Sequence, residues 1–424
     1  LVRVIADLHI HSKYSRATSM RMEIGEITRF SEIKGLNLVG TGDFTHPAWF
    51  EELRRDLVEA PEGSGIYAPA RMPTSRVRFM VTGEISTVFE WEGKTRKIHH
   101  LLLIPDLEVA DQVREVLSRF GDLSVDGRPT LNAPAPEVVE AIMEVSSDVA
   151  VIPAHVWTPW FSLFGAFSGF DRVEDCYQDM TKHIFALETG LSSDPPMNWR
   201  LSSLDRYALV SNSDSHSPWP WRIGREANVF ELREVSYREV VEAIRLRDGR
   251  FRMTIEVNPA YGKYHWTGHR KCGVSMPPSE AIKLGNVCPV CRRRLTKGVE
   301  QRVEELADRP MGFRPEGAVD YVHLLPLSEI ISAVTGSRSL ASGRVWETYM
   351  KLIKEFGDEF TVLLDAPKDD IARVAGERIA EAVIRVREGR VKVVPGYDGV
   401  YGQILIFEEP VPEREGQTTL SDFF

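Results

Sequence analysis

The chain has 424 residues, 43% of them hydrophobic and 27% charged, with a formal net charge of −10. That length exceeds one typical core and predicts two or three domains of a soluble globular protein. No apolar run is long enough to span a bilayer, no basic stretch precedes an apolar core at the N-terminus, and four cysteines are too few for a disulfide framework. No membrane span, secretory signal or disulfide scaffold is therefore expected, and a cytosolic, intracellular protein is.

From residue 1 to about 255, strand-like runs alternate with helical ones, which predicts an α/β barrel rather than a sandwich. Val2–Asp7 leads to His9 and His11, Leu36–Gly40 to Asp43, and Val77–Val81 to Glu84. Helical patterns follow at Ala48–Ala60 and Leu107–Phe120, and between them Lys97–Ile104 carries His99 and His100. Val88–Trp91 and Thr95–Leu103 flank Glu92 and Gly93, a hairpin signal. Pro136–Ser146 precedes Val149–Ile152, which leads to His155; then come Ile184–Glu188, Tyr207–Val210 leading to Asp214 and His216, and the amphipathic Tyr237–Arg247. The architecture expected is a distorted, TIM-like (β/α)7 barrel with its reactive groups at the C-terminal rim.

Residues i and i+2 of a strand share a face, so His9 with His11, and Asp214 with His216, can each grip an ion from one direction. A lone histidine is more often a satisfied core residue than a ligand; here number and placement carry the argument. Imidazole mixed with carboxylate suits Zn, Mn or Fe, and eight candidate ligands (His9, His11, Asp43, Glu84, His100, His155, Asp214 and His216) exceed what one ion needs. Two or three cations sharing a carboxylate are expected, as in phosphoester cleavage, with Asp214, Glu84 and His155 closest to the chemistry. His99 should face away from His100 and support rather than ligate. His46 is either a phosphate contact or a loop residue, and Glu188 and Asp194 are either supporting acids or rim polarity.

Beyond residue 256 the composition changes. His269, Cys272, Cys288 and Cys291 have the spacing of a closed structural zinc site, with His265 the other possible nitrogen donor and Cys176 left over as a buried thiol. Between Lys263 and Arg302, nine Lys/Arg face two acids. That local excess, which includes Arg292 and Arg293, points to a nucleic-acid face despite the acidic total. Helical patterns at Leu327–Val334, Ser342–Phe356 and Asp369–Arg387 and strand-like Val391–Val394 and Gln403–Phe407 make an α+β block at 311–408. A Pro/Glu-rich linker then leads to Gln417, Leu420, Phe423 and Phe424, at 409–424. The domain plan is thus 1–255, 256–310, 311–408 and a tail.

The barrel motifs resemble the PHP (polymerase and histidinol phosphatase) superfamily over roughly residues 1–255. His9 and His11 match its first motif, Glu84 its bridging acid, and His100, His155, Asp214 and His216 its later ligands. Asp43 stands where the superfamily usually has histidine, and Lys13–Thr18 offers none of the further ligands many members carry, which puts a third ion in doubt. Within the superfamily, the runs Gly262–Cys272, Asn286–Cys291 and Ser211–Pro218 make nearly the whole chain similar to the endonuclease Q family. That resemblance implies a DNA repair endonuclease nicking on the 5′ side of deaminated bases (uracil, hypoxanthine, xanthine) and abasic sites. The tail looks like a sliding-clamp (PCNA) interaction peptide, and a monomer tethered to the clamp is the expectation. Reading a damaged base requires extruding it, so Trp157, Trp160 and Trp219 are candidate stacking residues and Asn212 a candidate base reader. A small-molecule phosphatase accounts for the barrel motifs alone, and a clamp-bound scaffold for the tail alone.

Overall fold

Short runs rich in Val, Ile and Leu form the strands of a mixed sheet; the computed structural model describes residues 1–407. In chain order the strands are β1 (Val2–Asp7), β2 (Leu38–Gly40), β3 (Leu57–Glu59), β4 (Ile66–Pro69), β5 (Arg78–Trp91), β6 (Lys94–Ile104), β7 (Thr130–Leu131), β8 (Ala150–Pro153), β9 (Ala186–Glu188), β10 (Ala208–Val210), β11 (Ala227–Leu232) and β12 (Phe251–Glu256). They are followed by β13 (Thr267–His269), β14 (Val274–Met276), β15 (Asp320–His323), β16 (Lys392–Val394) and β17 (Gln403–Leu405).

The main ladder runs β15-β12-β11-β1-β2-β5-β6-β8. It is mixed where a regular TIM barrel is all parallel: β1/β2 and β2/β5 are parallel, whereas β1/β11, β6/β8 and the expected hairpin β5/β6 are antiparallel. The β5/β6 hairpin turns on Glu92 and Gly93, whose φ of 49° and 71° are the two positive values that a two-residue turn of matching twist requires. A separate parallel pair, β9 and β10, sits beyond β8. Between β10 and β11 a side chain replaces the ladder: Asn228 Oδ1 accepts from the Ser211 amide, and Asn228 Nδ2 donates to the Ser211 carbonyl. The two faces of the curved sheet carry different cores. Val4, Ala6, Leu8, Met80, Leu101, Leu103 and Ile152 form the inner cluster, and Ile5, Val81, Ile98, Leu102 and Val151 pack outward against the helices.

Helices at Leu107–Leu117, Tyr237–Leu246 and Gly343–Phe356 start at Asp106, Ser236 and Ser342, whose side chains accept a first-turn amide. The pattern at Asp369–Arg387 resolves into two helices, Lys368–Ala375 and Glu377–Arg387, because Gly376 adopts φ 90° between them. The strand β15, from the third sequence block, joins the main sheet beside β12. That block is also tied to the first by a buried ion pair: Lys34 Nζ lies 2.8 Å from the Pro220 carbonyl and 2.7 Å from Glu359 Oε1. Among the described residues no helix is long and apolar enough to cross a membrane. The clamp-type peptide, with Gln417, Leu420, Phe423 and Phe424, lies outside them.

Candidate metal centre and DNA-facing surfaces

The end of β1 and the loop after β10 run side by side, with the His11 amide donating to the Ser215 carbonyl at 2.9 Å. This pairing sets Asp214 against His9 and His11, and β5 brings Glu84 beneath them. Two groups of donor atoms result, each gathered within 4.8 Å: His9, His11, Glu84 and Asp214, and Glu84, His99 and His155. Glu84 belongs to both. Its Oε2 lies 3.3 Å from His11 Nε2 and 3.5 Å from His9 Nε2, while its Oε1 lies 2.8 Å from His99 Nδ1 and 2.9 Å from His155 Nε2.

Outer hydrogen bonds fix the imidazoles. His9 Nδ1 donates to Glu188 at 3.0 Å, and Glu188 also accepts the His155 amide and Asn212 Nδ2. His11 Nδ1 donates to Asp43, and His155 Nδ1 donates to Thr158. Each ring is held so that its Nε2 faces the shared space. Three of these residues, Asp43, His155 and Asp214, take positive φ (47°, 31° and 49°), a strained conformation that concentrates at functional sites. Gly42, with φ 65°, is needed before Asp43 because a Cβ there would collide with the Ile10 carbonyl.

The charges respond as a cation-seeking set. Burial opposes protonation of His9 and His11, yet the surrounding carboxylates push both well above the ordinary histidine range. Burial likewise opposes ionisation of Glu84, but His99, Arg128 and His9 hold it well below the usual carboxylate range. The residues fit a metal: His9 Nε2 is buried without a hydrogen-bond partner, with its lone pair aimed where three other donors converge.

The structure places several of the expected site residues outside the two donor groups. His100 is on the outer face of β6, where it bonds Tyr177 Oη at 2.8 Å and Thr87 Oγ1 at 2.9 Å. Its neighbour His99 faces inward and reaches Glu84. Asp43 is outside both donor groups, its oxygens taken by His11, Ser12 and Ser15. His216 lies beside His11, at 4.4 Å between ring centres, but its Nδ1 bonds the Asp214 carbonyl and it joins neither group. Asn212, the candidate base reader, is buried, where it accepts from the Leu8 amide and donates to Glu188. Trp157 is buried as well, with Nε1 donating to Asn198. His46 accepts neither alternative cleanly; it is mostly buried, bonded to the Ser124 carbonyl and stacked on Tyr14. Arg128, which nothing in the sequence singles out, places Nη1 3.0 Å from Glu84 Oε2.

Trp160 and Phe167 are 44% and 52% exposed and stack on each other at 4.9 Å, with the Tyr264 ring edge-on to Trp160. Their loop touches the centre directly, since the Phe161 carbonyl accepts the His99 amide. Trp219 is half-buried, stacked on Trp221 and covered by Arg21. Arg292 and Arg293 are exposed, whereas Arg302 turns inward to bond the Phe164 and Phe170 carbonyls.

The third cluster lies apart. His269, Cys272, Cys288 and Cys291 gather within 4.8 Å at the β13/β14 hairpin. Backbone amides of Cys291 and Val290 bring the Cys288 thiol down to about 6, favouring the thiolate that zinc binds. His265 is not part of it; its Nε2 lies 3.5 Å from Glu300.

A mixed-sheet α/β protein with two histidine–carboxylate donor groups sharing one glutamate, and a detached His/Cys3 cluster, is the class these features define. Solved structures and relatives narrow it. The lesion-specific endonuclease PfuEndoQ from Pyrococcus furiosus superposes with a TM-score of 0.86 at 36% identity, covering 98% of both chains. Endonuclease Q in complex with a 27-mer duplex carrying an abasic lesion at the active site superposes at 0.84 and 35%, covering 99% of this chain and 100% of that one. The chain belongs to the endonuclease Q family. Residues 326–390 match the family described as MJ0043 C-terminal domain. Protein MJ0043 of Methanocaldococcus jannaschii is 31% identical over 291 residues; the match takes in 66% of this chain, which spans 35% of that protein's length.

Proposed function

We propose that this chain is a metal-dependent DNA repair endonuclease that hydrolyses the phosphodiester 5′ to deaminated bases (uracil, hypoxanthine, xanthine) and to abasic sites. The observation that carries this reading is Glu84, whose two oxygens serve separate donor groups in a chain that aligns end to end with lesion-specific endonuclease Q structures. Two divalent cations (zinc, manganese or magnesium) in those groups would activate water and neutralise charge at phosphorus. His9, His11 and Asp214 hold one side, His99 and His155 the other, and Glu188 and Asp43 orient the imidazoles. The His269/Cys272/Cys288/Cys291 cluster takes one structural zinc and presents Arg292 and Arg293 to the DNA backbone. Trp160, with Phe167, offers the exposed stacking face for an unpaired base or the gap it leaves.

The test uses labelled duplexes carrying uracil, hypoxanthine or an abasic site with Mg²⁺ or Mn²⁺, beside an undamaged duplex and histidinol phosphate. Nicking confined to the lesion duplexes supports the reading; hydrolysis of histidinol phosphate alone replaces it with a phosphatase. Asp214→Ala should abolish cutting and spare DNA binding, and Trp160→Ala should reduce discrimination between lesion and normal DNA. The domain plan 1–255, 256–310 and 311–408 is part of the proposal, as is an intracellular monomer docked to PCNA through Gln417, Leu420, Phe423 and Phe424. Deleting those last eight residues should end co-elution with the clamp while leaving intrinsic nicking intact; persistent co-elution would remove the tail from the interface.

A further inference from the structure

Arg128 sits in the loop between the Leu107–Leu117 helix and β7, and that loop is clamped over the centre. The Gly127 amide donates to the Tyr14 carbonyl, Thr45 Oγ1 donates to the Gly127 carbonyl, and the Ser86 amide donates to the Pro129 carbonyl. Asp126 Oδ1 accepts the Arg128 amide at 3.0 Å. The approach is so close that a Cβ on Gly127 would collide with Asp43 Oδ2 and Ser15 Oγ. A backbone held this firmly delivers the guanidinium to a defined place: Nη1 on Glu84 Oε2, at the open side of the donor groups, with 28% of the side chain exposed. Among the described residues the guanidinium makes no other side-chain hydrogen bond, so most of the fork's N–H donors are left over for a ligand. Asp214 and His216 also lie within reach of its charge.

A planar cation with spare donors beside a bridging carboxylate matches a phosphate oxygen better than a structural ion pair does. We propose that Arg128 is a catalytic residue that grips a non-bridging oxygen of the scissile phosphate; this rests on reading the chain as a phosphodiester hydrolase. In the reaction a water oxygen bonds to phosphorus as the bond to the leaving sugar oxygen breaks. The water gives up a proton and the leaving oxygen takes one up. Negative charge grows on the non-bridging oxygens meanwhile, and Arg128 meets it with donors already in place.

The experiment compares wild-type, Arg128→Ala and Arg128→Lys full-length protein. Single-turnover nicking of a uracil duplex should fall about 10²- to 10³-fold in Arg128→Ala, as for loss of one preorganised transition-state donor. Metal content should stay unchanged, and duplex affinity should fall far less than the rate, by about ten-fold at most. Millimolar guanidinium should restore part of the Arg128→Ala rate and leave wild type unaffected, and lysine should recover only a fraction because it lacks the fork. In parallel, calorimetric titration of inorganic phosphate into the metal-loaded proteins should show about ten-fold weaker binding, or worse, for Arg128→Ala. Unchanged nicking, or a loss explained by missing metal with no guanidinium rescue and unaltered phosphate binding, overturns the assignment. Wild type that nicks no lesion duplex sinks the endonuclease reading instead, and the phosphate titration still decides Arg128.

Discussion

The adjacent histidines of β6 can be separated by what their removal does. His99 supplies Nδ1 to Glu84, so His99→Ala should lower bound metal measured by mass spectrometry and leave the melting temperature of the metal-free protein nearly unchanged. His100→Ala should do the reverse. It strips Tyr177 and Thr87 of their buried partner and leaves a cavity on the outer core, at a cost of about 2–4 kcal/mol with metal stoichiometry intact. Equal metal loss in both variants would contradict the inward placement of His99. The sequence marked this strand as a ligand carrier, but the reading that turned His100 inward and His99 outward was off by one residue, and a one-residue change of parity reverses every side chain. Pairing resolves it: Ser86 opposes His99 and Glu84 opposes Leu101, so Glu84 and His99 are diagonal neighbours on one face. His9, His11, Glu84, His155 and Asp214 were legible because each follows an apolar run. Arg128 was not, since a loop without periodicity gives no sign of what it will be clamped against.

At the level of elements, the β13/β14 hairpin is the part with least core of its own. Met276, Ala281, Cys288 and Leu295 are its only buried hydrophobic cluster among the described residues, too little apolar area to order a loop of this length. The zinc proposed for its four donors would supply most of its folding energy. Cys288→Ser should therefore release one zinc per chain and raise amide exchange across residues 267–296, while the main sheet keeps its protection. The effect should spread along one route. Thr267 Oγ1 holds the Gly298 amide and Gln301, which start the Val299–Leu306 helix, and Arg302 on that helix bonds the Phe164 and Phe170 carbonyls of the aromatic loop. Exchange should accordingly rise in residues 157–170 as well; a change confined to the hairpin would mean that the zinc segment and the Trp160 loop are uncoupled. The CxxC spacing announced the cluster, but this connection depends on an arginine that the sequence suggested only as part of a basic surface.

Across the whole molecule, two fully buried carboxyl groups should contribute to how stability depends on pH. Glu226 and Glu256 meet inside the sheet, where Ser211 Oγ lies 3.0 Å from Oε2 of both and one Glu256 oxygen has no partner. Burial raises Glu256 to about 8, and burial followed by the Glu256 charge raises Glu226 well above its usual range. Between an unfolded value near 4.5 and the folded value near 8, the native state binds the extra proton. The slope of unfolding free energy with pH is then negative, and stability should fall as pH rises through that window, by up to about 1.4 kcal/mol per pH unit for one proton. The raised histidines of the metal-free centre tilt the curve the same way, so the informative quantity is a difference between proteins. Glu256→Gln keeps the shape and cannot ionise; it should melt more nearly alongside wild type at pH 5 and distinctly higher at pH 8. Melting curves taken across that range decide the point, and parallel pH profiles for the two proteins would show that Glu256 is ionised in the native state and that its proton is not part of what holds the sheet together.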